Sequence, residues 1–185
     1  AAAKEVSIKV SEISAEELNK LLEKYTKPIA IAFDYEEETL LGYSVATSNT
    51  EVYYVQGSKI GDWISKPQLA KYVHSAKVAL KNLGLSGVQS DIELLAYLCN
   101  PGSRNLSLSD LAERILGELA NSEDLFSQFD PKQAAWIFEL QKELSSEVKS
   151  KGMISLYEDL EQPTLLLLSQ IEEYLGLYCQ RKIVL

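Results

Sequence analysis

The first clear pattern of apolar and polar positions along the chain is an amphipathic helix. Ser14 and Glu17 have the spacing of a capping box, which marks the start of a helix. The apolar residues that follow recur at helical spacing and are Leu18, Leu21, Leu22 and Tyr25. Because proline removes a backbone donor and does not fit a helix interior, Pro28 predicts that the helix ends before it.

Three strand-like stretches come next, at residues 29–35, 40–48 and 51–56. The first stretch is apolar almost throughout, which is typical of a central strand covered by other elements on both faces. The links between the three stretches are short, so they predict an antiparallel meander.

The rest of the chain reads as helices with short strands between them. Strands are predicted at 66–73 and 87–90, and helices at 76–83, from Asp91 to Cys99, from Ser107 to about Ala120 and from Asp130 to about Ser150. Gly84 is a C-cap signal, and Asp91, Ser107 and Asp130 are N-cap signals. A meander followed by helices indicates an α/β fold, with a mixed sheet of about five strands flanked by helices.

A last long helix is predicted from about Met153, with a bend at Pro163 and an end at Gly176. Its apolar stripe is expected to contact the core and consists of Leu156, Leu160, Leu167, Ile171 and Leu175. The chain then stops in an apolar stretch at 181–185 without a polar tail, so we expect a piece of a longer protein.

Composition and charge narrow the function classes. With 185 residues, 46% of them apolar and 24% charged, the chain can bury a core, which excludes disordered and collagen-like classes. The net charge of −9 argues against a protein that binds nucleic acid by neutralising phosphates with lysine and arginine. It does not exclude a nuclease, because sites that hold metal ions are themselves built of carboxylates.

The cysteines and the apolar runs indicate the cellular compartment in which the protein is expected. Cys99 and Cys179 are far apart and form no Cys-x-x-Cys pair, which argues against a disulfide framework or a structural zinc site. The start of the chain lacks the apolar core of a signal peptide, and the longest apolar run, 165–168, is far below the roughly 18 residues of a membrane helix. We therefore expect a soluble cytoplasmic protein.

The sharpest chemical signal is the pair Asp34 and Glu36 at the end of the first buried strand. Strand residues two apart point to the same face, so the two carboxylates converge and are a natural seat for Mg²⁺ or Mn²⁺. The competing interpretation is a strand that runs into an acidic turn at 36–38, and Asp-x-Glu alone does not decide between the two.

Several stretches together extend the signal, in order and at suitable spacing. They are Ala32-Phe33-Asp34-Tyr35-Glu36, residues 78–81 with Gly84, residues 90–98, residues 108–114, Tyr157-Glu158-Asp159-Leu160-Glu161-Gln162-Pro163, and Ile171-Glu172 with Gly176. On these motifs the chain resembles the 3′–5′ exonuclease domain of bacterial DNA polymerase I, from residue 29 to residue 180. The resemblance implies a ribonuclease-H-like fold whose active members use four carboxylates and two metal ions.

The departures from the family pattern carry the functional prediction. At the family's second carboxylate position the chain has Ala76, and at the third motif it has Phe129 in place of a water-positioning tyrosine and Gln133 in place of the last carboxylate. Only Asp34 and Glu36 remain, so weak binding of a single ion, or none, is expected, and no residue is expected to be catalytic. No cofactor is expected, apart from Mg²⁺ or Mn²⁺ if exonuclease activity persists.

The resemblance also implies the parent protein and the organisation of the chain. We expect a lead-in with a helix over 1–26, an exonuclease-like domain over 27–152, and a kinked helix over 153–185 that leads into a polymerase domain. The preferred function is a vestigial, inactive exonuclease-like domain that supports the polymerase domain of a DNA-directed DNA polymerase, a nucleotidyltransferase of replication and repair. The partners would be that polymerase domain and, through the parent, DNA, but no membrane.

Two other functions stay open at this point. The chain could be an active metal-dependent 3′–5′ exonuclease in which other carboxylates, among Glu37, Glu38, Asp91 and Glu139, replace the missing ligands. It could also be an acidic protein-interaction module that shares only the pattern. The single histidine, His74, has no evident nucleophilic partner, and Trp63 and Trp136 are expected to be core or interface aromatics, because no basic groove flanks them.

Overall fold

A mixed sheet of six strands organises the residues that the structure, a computed structural model, describes: 7–103, 105–118, 129–168 and 170–171. The strands are β1 (Lys9–Glu12), β2 (Ile29–Glu36), β3 (Thr39–Ala46), β4 (Glu51–Gln56), β5 (Lys71–Val73) and β6 (Val88–Asp91), in the order β1-β4-β3-β2-β5-β6. The β2-β3-β4 meander is antiparallel, whereas β1 pairs with β4, β5 with β2 and β6 with β5 in parallel. The predicted fold class is confirmed.

Within the described residues, six α-helices flank this sheet. They are α1 (Ala15–Leu22), α2 (Lys77–Leu83), α3 (Ile92–Cys99), α4 (Leu108–Leu111), α5 (Gln133–Ser150) and α6 (Ile154–Leu156). The wide π-type turns Ala112–Leu116 and Tyr157–Glu161 extend α4 and α6, and a further helical stretch at 162–168 follows the second turn. The predicted capping box at the start of α1 is confirmed, because the Ser14 hydroxyl accepts the backbone N–H of Glu17. None of the described helices is long and apolar enough to cross a membrane.

The two faces of the sheet carry separate hydrophobic cores. On one face, Ile29 and Ile31 of β2 pack with α1, α2 and the buried Trp63. On the other, Ala30 and Ala32 pack with α3, α4 and α5, including the buried Trp136. The prediction that β2 is covered on both faces is therefore confirmed, and both tryptophans belong to the cores.

Several elements differ from the sequence prediction, and the strand predicted at 66–73 is formed only at Lys71–Val73. The short parallel edge strand β1 was not predicted, because four residues with mostly exposed side chains show no strand pattern. The helix from Ser107 ends at Leu116 rather than near Ala120, since Gly117 takes a positive φ of 73° and closes it. Helix α5 begins three residues after Asp130, whose Oδ1 accepts the N–H of Lys132 at 2.9 Å in the preceding turn.

The predicted core contact of the last apolar stripe is wrong for its described members. The side chains of Leu156, Leu160, Leu167 and Ile171 are 39%, 56%, 56% and 43% exposed. Other side chains of this segment make the contacts: Tyr157 and Gln162 bind backbone groups of β6, and Leu165 and Leu166 pack against the core on the side of α1 and α2. Leu175 and the predicted helix end at Gly176 lie outside the described residues.

The carboxylate of Asp91 joins three elements in the interior. Asp91 ends β6 and is 2% exposed, and its two oxygens accept the N–H groups of Ser75 (3.2 Å), Ala76 (2.8 Å) and Glu93 (3.0 Å). Its own N–H donates to the hydroxyl of Tyr157 at 3.0 Å. Burial raises the pKa of Asp91, and the bonds from Ala76 and Ser75 oppose that rise. One side chain thus holds the N-terminal ends of α2 and α3.

Replacement of this carboxylate is expected to destabilise the fold strongly. Asp91→Ala leaves three backbone N–H groups without their acceptor, so the free energy of unfolding should fall by about 3 kcal/mol. Urea denaturation measures the change. The control is Asp110→Ala, which removes a partly exposed acid of the α4 cap and should cost about 1 kcal/mol or less. Equal losses for the two variants would contradict the central position of Asp91.

Candidate active site

Asp34 and Glu36 lie where β2 leaves the cover of the helices. Ala30, Ala32, Asp34 and Glu36 are every second residue of β2, so all four side chains lie on the face of the sheet on which α5 packs. Asp34 is half-buried and Glu36 is exposed. The pairing with β3 shifts by one residue after Asp34, which leaves Leu41 as an extra residue of β3. The convergence of the two carboxylates agrees with the sequence prediction.

The electrostatics of this pair favour a cation. Burial raises the pKa of Asp34, and the negative charge of Glu36 raises it further. Two carboxylates with hard oxygen atoms on one rigid strand end suit an ion such as Mg²⁺ or Mn²⁺. Among the residues described, no group of three or more His, Cys, Asp and Glu side chains is placed to hold a metal ion. The donor set of Asp34 and Glu36 thus fits one ion in part and lacks ligands for a second.

Ala76 follows β5, which runs parallel to β2, so Ala76 and Asp34 lie towards the same end of the sheet. It is the N-cap residue of α2 and is 1% exposed. Its methyl group belongs to the core beneath α1 and α2, and its N–H is bound by Asp91. Asp91 therefore provides the side-chain oxygens at the start of this helix, where residue 76 has none to offer.

Gln133 and Phe129 belong to the start of α5 and to the segment before it. Gln133 is the first residue of α5, the helix that packs over β2. Phe129 is half-buried, and its ring lies 6.1 Å from the ring of Tyr54 on β4, with a tilt of 34°. The roles that the resemblance assigns to residues 76, 129 and 133 remain predictions.

Tyr54 and Gly42 lie beside Asp34, and no sequence motif singled them out. Gly42 of β3 pairs directly with Asp34, and a Cβ placed on it would lie 3.0 Å from the Tyr54 hydroxyl. The negative charge of Asp34 reaches this phenol, because the pKa of Tyr54 is raised first by burial and then by Asp34. The available signal was Gly42 itself, since glycine inside a strand often marks a close approach of another group.

The other candidate ligands are engaged elsewhere. Glu38 pairs with Lys81 at 3.3 Å, and Glu139 accepts a hydrogen bond from Asn49 at 3.1 Å. Asp91 is committed to backbone N–H groups, as described above. Glu37 sits in the β2–β3 turn with a positive φ of 57°. These positions give no support to the replacement of the missing ligands.

His74 and Lys71 are polar residues with structural contacts. His74 lies between β5 and α2, as expected, with Nε2 2.7 Å from the carbonyl oxygen of Leu106. Lys71 is fully buried and donates to the carbonyl oxygens of Lys66, Leu69 and Ser86 at 2.7–2.9 Å. Burial, with a smaller effect from Lys66, lowers the pKa of Lys71 to about 8.

The chain is similar in sequence to parts of known proteins. No protein-family model matches the chain. DNA polymerase I of Bacillus subtilis is 29% identical over 168 residues, which is 77% of this chain and 19% of the relative. DNA polymerase I of Mycobacterium leprae is 30% identical over 133 residues, which is 60% of this chain and 15% of the relative. The resemblance to bacterial DNA polymerase I is confirmed.

Solved structures show the same fold. The POL domain of Pol1 from M. smegmatis, in complex with DNA primer-template and dNTP, matches with a TM-score of 0.72 and 23% identity over 89% of this chain and 32% of that one. Brucella melitensis NrnC with bound Mg²⁺ matches with a TM-score of 0.69 and 13% identity over 90% and 93% of the two chains. The predicted ribonuclease-H-like fold is thus confirmed, and the chain spans less than a fifth of the DNA polymerase I relatives reported above.

Removal of one charge from the carboxylate pair is expected to stabilise the protein without metal. Asp34→Asn relieves the repulsion between two neighbouring carboxylates, so the free energy of unfolding at pH 7 should rise by less than about 1 kcal/mol. Urea denaturation with EDTA present measures it. The matched control, Glu38→Gln, removes the same charge but also the pair with Lys81, and should give no rise. A clear loss of stability in Asp34→Asn would contradict the interpretation of Asp34 as a site residue.

Proposed function

We propose that this chain is a 3′–5′ exonuclease-like domain that no longer hydrolyses DNA and that supports the polymerase domain of a longer, cytoplasmic DNA polymerase I. The observation that carries the proposal is the site itself. Asp34 and Glu36 share one face of β2, and the described residues add no third ligand to them. The positions that the resemblance assigns to the other carboxylates hold Ala76 and Gln133.

The chemical consequence follows from what phosphodiester hydrolysis needs. Two-ion hydrolysis requires ligands that hold one ion at the attacking oxygen and one at the leaving oxygen. Asp34 and Glu36 offer oxygen atoms for one ion. Loss of a single preorganised electrostatic group typically costs about 3–4 kcal/mol in barrier, or roughly 10²–10³ in rate. Two lost ligands should therefore reduce turnover to background.

The outer surface of the last helical segment supports the structural part of the proposal. Five exposed apolar side chains lie within 16 residues: Leu156, Leu160, Leu167, Leu168 and Ile171. We call this set the apolar row. Clusters of exposed apolar side chains are typical of surfaces that contact another protein or domain. The M. smegmatis chain is about three times as long as its matched part, so in that protein the same fold is attached to further structure.

A nuclease assay tests the loss of hydrolysis. A 5′-labelled single-stranded oligonucleotide is incubated with the protein in excess Mg²⁺ or Mn²⁺, and its length is followed on a denaturing gel. We expect no shortening from the 3′ end above the level of the Asp34→Ala variant, because ligands for a second ion are lacking.

The control variant for this assay is Glu38→Ala, which removes an acid that pairs with Lys81 away from Asp34. A metal-dependent ladder that Asp34→Ala abolishes and Glu38→Ala retains would contradict the proposal. It would instead establish an active exonuclease with substituted ligands.

A further inference from the structure

The hydroxyl of Tyr54 reaches the candidate active site across β3. Tyr54 pairs with Ser44, and Ser44 pairs with Ala32, so Tyr54 lies on the same face of the sheet as Asp34. The residue between the two strands at the level of Asp34 is Gly42. A Cβ there would lie 3.0 Å from Tyr54 Oη and 3.3 Å from its Cε2, so the phenol occupies the space that a side chain at position 42 would take.

The spacing of the sheet brings this hydroxyl close to the Asp34 carboxylate. Side chains of directly paired residues in an antiparallel sheet have Cβ atoms about 4.5–5.5 Å apart. Tyr54 Oη lies next to the Cβ position of Gly42, which is paired with Asp34. Tyr54 is partly buried, and its hydroxyl makes no hydrogen bond to another of the described protein groups. It is therefore available to a water molecule or ligand held by Asp34.

The Tyr54 ring packs against a phenylalanine at the position where the resemblance places a tyrosine hydroxyl. This phenylalanine is Phe129, and the tyrosine that the resemblance implies there is the water-positioning one. A hydroxyl is thus missing from one ring of this aromatic pair and present on the other. The influence of the Asp34 charge on Tyr54 agrees with this arrangement.

We propose that Tyr54 is a positioning residue of the Asp34 site, whose hydroxyl binds the water shell of a single divalent cation held by Asp34 and Glu36. The proposal rests on the placement of the site at Asp34 under the proposed function. It adds a polar group from β4, but it adds no ligand for a second ion. The degenerate site would then retain a seat for one hydrated ion and no means of hydrolysis.

Binding of Mn²⁺ to the 185-residue chain tests this role without any nuclease readout. Free Mn²⁺ is counted by electron paramagnetic resonance in a titration of the protein and of three variants. Asp34→Asn should abolish the site. Tyr54→Phe removes only the hydroxyl and should weaken binding by about fivefold or more, the value of one lost hydrogen bond near a charge. Tyr53→Phe is the matched control, because Tyr53 packs on the other face of β4, and it should bind as the unchanged protein does.

A fourth variant tests whether the position of the Tyr54 hydroxyl matters as well as its presence. Gly42→Ala places a methyl group 3.0 Å from Tyr54 Oη and 3.1 Å from the carbonyl oxygen of Val55; because the phenol can move more easily than the backbone, it should be displaced and Mn²⁺ binding should weaken as in Tyr54→Phe. Circular dichroism and thermal unfolding establish that each variant is folded.

Equal Mn²⁺ affinity of the unchanged protein and Tyr54→Phe would overturn the proposal, as would the absence of any Mn²⁺ site that depends on Asp34. Neither result would indicate that the protein hydrolyses DNA, because the oligonucleotide assay measures that activity separately. Failure of the Tyr54 proposal and failure of the proposed function are therefore distinguishable.

Discussion

The burial of β2 between two layers of helices is the constraint on which the site depends. Residues 29–32 must be apolar on both faces because α1 and α2 cover one side and α5 covers the other. Charged side chains can enter the strand only where that cover ends, and this is where Asp34 and Glu36 lie. The same packing that builds the core thus places two carboxylates side by side at one end of the sheet. Their mutual repulsion is the electrostatic cost of that placement.

If residues 76 and 133 are lost ligand positions, as the proposed function has it, the fold tolerates the loss because other residues stabilise the starts of α2 and α5. At the start of α2, the oxygens of Asp91 bind the N–H groups of Ser75 and Ala76, so no carboxylate is needed at position 76 to cap that helix. At the start of α5, Asp130 accepts the N–H of Lys132 through Oδ1 and the N–H of Gln133 through its carbonyl oxygen, and no side chain among the described residues caps the first turn of the helix. Under the proposed function, a nuclease site can decay at these two positions while the sheet and its helices remain intact.

The sequence predicted the elements that carry strong local signals. The meander, the capping box at Ser14, the cap at Asp91 and the convergence of Asp34 with Glu36 all follow from spacing and side-chain chemistry. The edge strand β1 was not predictable, because its pairing with β4 is a tertiary contact that leaves no alternation in four residues. The core contact predicted for Leu156, Leu160, Leu167 and Ile171 is wrong, since helical spacing shows that a face is apolar but not what covers it.

For a related reason, the position of Tyr54 near Asp34 could not be predicted from the sequence. It arises from a pairing register that places Gly42 between Tyr54 and Asp34, and a register of this kind is fixed only when the strands assemble. Sequence motifs name residues along one strand, whereas this site combines side chains of β2 and β4 with a gap on β3. Gly42 was the local sign in the sequence that another group approaches β3 closely.

The central claim is that the site can hold no more than one metal ion. Anomalous diffraction from crystals soaked in Mn²⁺ tests it most directly, because it counts ions and places them regardless of turnover. The account predicts at most one anomalous peak beside Asp34 and Glu36. Two peaks about 4 Å apart at this end of β2, the separation of a two-ion hydrolytic site, would contradict it.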